Sequence, residues 1–140
     1  MIKRFELRKV RYMPAELEPG ILYVAAEFGA AAHLCACGCG AVVRTPLDPT
    51  EWSLEEAEQG PSLEPSIGNW QERCQSHYWI RSGAVIWAPK WSVAQIEAGR
   101  LVEQERRAAY YDALYSRKST RARRLWNRVK SLFNGWIQRL

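Results

Sequence analysis

Along the first 90 residues short apolar runs alternate with turn residues, and beyond Pro89 the pattern changes to a helical repeat. Phe5-Glu6-Leu7-Arg8-Lys9-Val10 reads as a first strand with imperfect alternation. Pro14 and Pro19-Gly20 punctuate the path to a second strand at Ile21-Leu22-Tyr23-Val24. Ala41-Val42-Val43-Arg44 predicts another, stopped by Pro46 and Pro49. Thr50–Leu54 and Ser62–Pro65 flank a polar stretch with Gly60-Pro61, which predicts a hairpin or an excursion. Tyr78–Arg81 and Ala84–Trp87 are joined by Ser82-Gly83, a two-residue hairpin signal.

Ser92 and Gln95 form a capping-box pattern that starts a helix. Ile96, Leu101, Ala108, Tyr111 and Leu114 mark one of its sides. A break is expected near Ser119-Thr120. A second helix follows, with Leu125, Val129, Leu132, Phe133, Trp136 and Leu140 on one face and basic residues opposite. The expected architecture is α+β: a strand-rich metal-binding domain over 1–90, a helix over 91–118 and a basic amphipathic helix over 119–140. The chain contains no internal repeat and no low-complexity segment.

Charge sharpens this division. The net charge is +5, yet residues 117–140 hold eight basic residues and no acidic one. The remaining 116 residues hold twelve basic and fifteen acidic residues, a net of −3. Basicity therefore belongs to the tail, which fits an anionic membrane surface, nucleic-acid phosphates, a partner subunit in a homo-oligomer, or the body itself. No run of about 18 apolar residues and no signal-type apolar region occurs, so a cytoplasmic address, or one peripheral at a membrane, is expected. In a reducing compartment cysteines serve as metal ligands or catalytic groups more often than as disulfides.

All four cysteines and both histidines fall in two windows, His33-Leu34-Cys35-Ala36-Cys37-Gly38-Cys39-Gly40 and Cys74-Gln75-Ser76-His77. Scattered core cysteines would not sort themselves this way. Zinc takes four thiolate or imidazole ligands in a tetrahedron, commonly delivered by two short windows. Gly38 and Gly40 permit the tight turns that aim neighbouring sulfurs at one point. The expected ligands come from Cys35, Cys37, Cys39, Cys74 and His77, with one of the first three cysteines spare and His33 ranked below them. The alternative cofactor is an iron–sulfur cluster. Cys74-Gln75-Ser76-His77-Tyr78-Trp79 is similar to the second window of Rieske centres, but His33-Leu34-Cys35 reverses the order of their first window.

Several stretches together resemble a family of small bacterial metal-binding proteins. They are Leu22-Tyr23-Val24 to Glu27-Phe28-Gly29, the His33–Gly40 window, Thr45-Pro46-Leu47, Pro65-Ser66-Ile67-Gly68-Asn69-Trp70 and Cys74 to Arg81. The family's hallmark pairs Cys-Pro-Cys-Gly-Cys-Gly with Cys-x-Ser-His-aromatic-Trp-Ile, and this chain departs from it at Ala36. The resemblance covers roughly residues 1–90 and leaves out the basic tail. Some members are encoded beside E1-like, E2-like and ubiquitin-like proteins in bacterial conjugation or antiphage clusters. The resemblance implies protein partners in such a ubiquitin-like pathway, with an accessory role in conjugation or antiviral defence.

The sequence thus puts a zinc-stabilised binding or adaptor module first. Its alternatives are an enzyme using zinc-bound water or the spare thiol, with Glu27 as the nearest general base, and an iron–sulfur electron-transfer protein. Trp70, Trp79 and Trp87 crowd the second window, as hydrophobic packing for the metal site or as a binding platform.

Overall fold

The computed structural model describes residues 1–137, with side chains described through residue 128. Two compact units make up the chain, Met1–Ile96 and Glu97–Leu140.

The first unit holds two four-stranded sheets. In one sheet, β1 (Glu6–Lys9), β2 (Ile21–Ala25), β3 (Ala30–Leu34) and β4 (Val42–Pro46) lie side by side in chain order. The β1–β2 pair is parallel and the other two pairs are antiparallel. β3 is not legible as a strand in the sequence. Ala30, Ala31 and Ala32 carry neither alternation nor β-branched side chains, and the strand exists because β2 and β4 both pair with it.

The second sheet is an antiparallel meander of β5 (Ser53–Ala57), β6 (Gly60–Gly68), β7 (His77–Arg81) and β8 (Ala84–Trp87). The hairpin expected at Ser82-Gly83 forms here, and the stretch read as a hairpin or an excursion is a hairpin, with Gly60 and Pro61 inside β6 rather than in its connection. Ser82 and Gly83 turn β7 into β8 with φ of 47° and 76°, the positive pair that a tight two-residue hairpin needs. Gly83 has little latitude, since an added Cβ would lie 2.9 Å from the carbonyl oxygen of Phe5.

Backbone bonds join the sheets. Phe5 N–H donates to the Gly83 carbonyl at 2.7 Å, and Val85 N–H donates to the Lys3 carbonyl at 2.9 Å. The shared core draws Phe5, Leu22, Val24, Ala31 and Val43 from one side and Leu63, Ile67, Tyr78 and Ile80 from the other. Alternation in β7 sorts its side chains between two faces. Tyr78 and Ile80 enter the core, and His77, Trp79 and Arg81 take the opposite face.

Among the described residues the second unit is one helix, α1, which begins at Val93 in the first unit and runs to Ile137. Its start has the expected reciprocal cap: Ser92 N–H donates to Gln95 Oε1 at 2.8 Å and Gln95 N–H donates to Ser92 Oγ at 3.3 Å. The helix is continuous through Ser119 and Thr120. Their hydroxyls fold back onto the Ser116 carbonyl at 2.9 and 2.8 Å and so satisfy themselves without a break. Leu101, Val102, Tyr115, Leu125 and Trp126 are exposed. The apolar positions expected at Val129, Leu132, Phe133, Trp136 and Leu140 lie outside the described side chains. Among the described residues no helix is long and apolar enough to cross a membrane.

Candidate functional site

Residues 35–41 leave the end of β3 in a tight turn. Gly38 N–H donates to the Cys35 carbonyl at 3.0 Å, and Cys35 N–H donates to the Ala41 carbonyl at 2.8 Å. Gly38 and Gly40 take φ of 86° and 82°, so the backbone can reverse twice within the window. The turn faces the loop between β6 and β7, which carries Cys74.

All four sulfurs converge, each lying within 4.8 Å of the others. Cys35 and Cys37 are 3.4 Å apart, Cys35 and Cys74 3.9 Å, and Cys39 and Cys74 3.8 Å. A metal–sulfur bond of about 2.3 Å gives a tetrahedron with edges of about 3.8 Å. These separations match that edge and are far longer than the roughly 2.05 Å of a disulfide. The group could therefore hold a metal ion. No cysteine is left over, although one was expected to be spare. Cys35 is buried, Cys37 and Cys74 are half-buried and Cys39 is exposed.

The surroundings suit thiolates. Asn69 donates Nδ2–H to Cys35 Sγ at 3.4 Å and to Ser76 Oγ at 2.9 Å, and Ser76 Oγ lies 3.1 Å from Cys35 Sγ. Without metal the thiols share their protons unequally. Burial, helped by hydrogen bonds with Cys39 and Cys35, pushes Cys37 up to about 12. Burial acts the same way on Cys74, but hydrogen bonds from Ser76, Cys37 and Cys39 outweigh it and bring Cys74 down to about 7.

Neither histidine joins the sulfurs. His33 is fully buried in β3, with Nε2 2.9 Å from the Tyr78 hydroxyl and Nδ1 without a partner among the described residues. Burial pushes its imidazole down to about 3, so it is neutral. His77, expected among the ligands, lies outside the four-sulfur group. Its Nδ1 is 2.9 Å from the Pro89 carbonyl oxygen and its Nε2 is 2.9 Å from Ser66 Oγ. The centre thus offers four thiol groups rather than the expected three with one imidazole. Glu27, the acidic residue nearest the first cysteine window, sits exposed in the 3-10 turn Ala26–Phe28 after β2.

The Ser66–His77 contact arises from strand register. Gly68 pairs with His77, and alternation puts Ser66 on the same face one step along β6. The register shifts between Leu63 and Ile67, where Ser66 sits. A carbonyl only accepts hydrogen bonds, so in the neutral ring His77 Nδ1–H donates to Pro89 and Nε2 keeps its lone pair. That lone pair accepts the Ser66 hydroxyl proton.

Aromatic rings enclose the imidazole. The centroids of Trp70, Trp91 and Trp79 lie 4.9, 5.1 and 5.7 Å from that of His77, and Trp70 stacks on Trp91 at 5.5 Å. Trp70 can lie there because residue 68 is glycine: an added Cβ would meet the indole nitrogen at 2.3 Å. A cavity of about 390 Å³ is lined by Cys37, Cys74, Ser76, His77 and Trp87.

The Ser66–His77 pair is a site that the sequence did not reveal. A usable signal was present, because six thiol and imidazole groups competed for four positions and one short window, Pro65 to Trp70, carried a serine with no role. Fold and site define a two-sheet α+β protein that carries a four-thiol centre and a hydrogen-bonded serine–histidine pair, both built on β6, β7 and the loop between them. Over residues 9–88, more than half its length, the chain matches the family model described as "BubE: Bacterial ubiquitination-like system serine protease (BubE)". The protein belongs to this BubE family, which fits the link to ubiquitin-like conjugation that its motifs implied. No curated protein and no solved structure matches it.

Proposed function

We propose that this protein is a serine hydrolase of a bacterial ubiquitination-like system, with Ser66 as nucleophile and His77 as general base. The observation that carries this reading is the 2.9 Å contact between Ser66 Oγ and His77 Nε2, with Nδ1 fixed by the Pro89 carbonyl. A hydroxyl is a weak nucleophile until a base takes its proton, and a third group must hold that base in the right tautomer. Here a backbone carbonyl does so. It orients the imidazole but offers less stabilisation to an imidazolium than a carboxylate would. The family's description as a serine protease supports the same assignment.

In the reaction, the Ser66 hydroxyl proton passes to His77 Nε2 as Oγ bonds to the substrate's carbonyl carbon. The bond from that carbon to nitrogen or oxygen then breaks, and the leaving group takes the proton from His77. Water, deprotonated by His77, attacks the acyl-serine and releases the acid, which restores the Ser66 hydroxyl. The substrate class is a peptide or ester bond joining a ubiquitin-like protein to its tail or its target.

Cys35, Cys37, Cys39 and Cys74 would hold zinc. When bound, the metal supplies a cross-link between the 35–41 turn and the β6–β7 loop, and four thiolates leave no open position for metal-bound water. The thiol- or zinc-water enzyme is therefore set below the serine enzyme. A cytoplasmic address suits thiols that must stay reduced.

The adaptor reading keeps one specific support. The apolar side chains that α1 exposes are surface that a protein partner in the pathway would cover. For the basic tail, the membrane, nucleic-acid and homo-oligomer readings rest on charge and amphipathic pattern.

A fluorophosphonate probe, which reacts covalently with activated serines, tests the main reading. Wild type is expected to label at Ser66, and Ser66→Ala and His77→Ala to lose the label. Equal labelling of wild type and Ser66→Ala would sink the reading. Full pathway function in the Ser66→Ala protein would favour the adaptor instead.

A further inference from the structure

We propose that Asn69 and Ser76 are positioning residues that tie the four-thiol centre to the Ser66–His77 pair, so that the bound metal sets the reach between hydroxyl and imidazole. This rests on the serine-hydrolase reading above.

Ser66 and His77 stand on adjacent strands, and the loop that joins those strands runs from Asn69 to Ser76. The loop is closed at its neck by Asn69 N–H donating to the Ser76 carbonyl at 2.9 Å. Gln75 N–H to the Glu72 carbonyl at 3.0 Å and Glu72 N–H to the Asn69 carbonyl at 3.1 Å keep it compact. The neck is then pinned by sulfur, from Cys35 of the facing turn and from Cys74 of the loop itself. Ser76 Oγ lies 3.1 Å from Cys35 Sγ and 3.6 Å from Cys74 Sγ, and the Asn69 amide reaches both Ser76 Oγ and Cys35 Sγ. The pinned residues adjoin the pair directly, since His77 follows Ser76 and Trp70, which walls the imidazole, follows Asn69.

A bound metal would fix the outer end of this network. Held in one tetrahedron, Cys35 from the 35–41 turn and Cys74 from the loop keep a constant separation, and the Ser76 hydroxyl and Asn69 amide are packed against them. Losing the metal unties Cys74, and with it the loop, from the turn and so loosens the neck one residue from His77. A general base displaced by a fraction of an ångström still binds substrate but transfers the proton poorly.

The test uses the full-length, zinc-loaded protein with p-nitrophenyl acetate as probe, together with the nitrogen and proton resonances of the His77 ring. Ser76→Ala and Asn69→Ala are expected to keep their zinc while kcat falls about tenfold to a hundredfold. KM should stay within about twofold, and the His77 Nδ1–H resonance should move. Ser76→Thr, which keeps the hydroxyl, should recover most of kcat. Exchanging zinc for the larger cadmium ion in wild type should also move the His77 resonance, a readout that does not depend on any variant folding. An unmoved His77 resonance in the cadmium protein overturns the tie, as do zinc-loaded alanine variants with wild-type kcat. Failure of the hydrolase reading is seen separately, as hydrolysis that survives in Ser66→Ala, and the His77 resonance still decides the tie in that case.

Discussion

The four-thiol centre and the serine–histidine pair are both tied to the β6–β7 loop, but they depend on the fold in different ways. Three of the four sulfurs come from five consecutive residues, Cys35 to Cys39, so local backbone reversal at Gly38 and Gly40 does most of the gathering. The pair has no local origin. Ser66 and His77 meet because β6 and β7 pair with Gly68 opposite His77, and because Pro89 returns beyond β8 to supply a carbonyl. A cluster built from one turn tolerates small shifts, whereas a hydrogen bond between strands is lost with one residue of slippage. The thiol centre is therefore the natural anchor and the pair the dependent element.

That dependence should run one way. Cys74→Ser is expected to have the largest effect, taking down both centres. Structural zinc sites contribute on the order of 10 kcal/mol or more to folding, as much as the whole stability of a small domain. Elemental analysis should find the metal gone, and circular dichroism should find the strand body unfolded at room temperature. A folded, metal-free Cys74→Ser protein that still labels with fluorophosphonate would break the comparison.

Ser66→Ala is the opposite case. Hydrolysis is expected to fall by about a thousandfold or more, since a nucleophile has no substitute. Metal content and melting temperature should hardly change, because Ser66 is only half-buried and does not belong to the core cluster. Loss of metal in this variant would mean the two centres are not separable in this direction.

Gly68→Ala sharpens the contrast further. The new Cβ would sit 2.3 Å from the Trp70 indole, so Trp70 must leave the His77 ring. Turnover is expected to fall by about one to two orders of magnitude. Zinc stoichiometry should be unchanged, as read by elemental analysis beside steady-state kinetics.

The smallest effect is expected from Tyr78→Phe. It removes the hydroxyl that His33 Nε2 and Ala36 N–H contact and leaves the ring packed in the core. Denaturant unfolding should register a loss of about 1 to 2 kcal/mol, the usual cost of an unmade buried hydrogen bond.

Legibility divides along the same line. The hairpin at Ser82-Gly83, the cap at Ser92 and Gln95 and the turn glycines are local features, and the structure bears each of them out. β3 is hidden in the sequence because its alanines carry no pattern, and the break expected at Ser119-Thr120 is absent because those hydroxyls bond back to Ser116. Cys35, Cys37, Cys39 and Cys74 are readable as candidate metal ligands from residue type and spacing. His77 looks like their partner because it follows Cys74 by three residues. Spacing along the chain cannot tell that the imidazole belongs to the outer face of β7.

The sequence by itself determined the α+β character, the basic C-terminal run and the confinement of every thiol and imidazole to two windows. These properties need only residue type, period and neighbours within a few positions. Tertiary structure alone decided that Ser66 comes within hydrogen-bond reach of His77 and that a carbonyl from Pro89 fixes the ring, since both require a particular pairing of strands. A strand's register is set by how whole faces pack into the core, and no single window of residues contains that information.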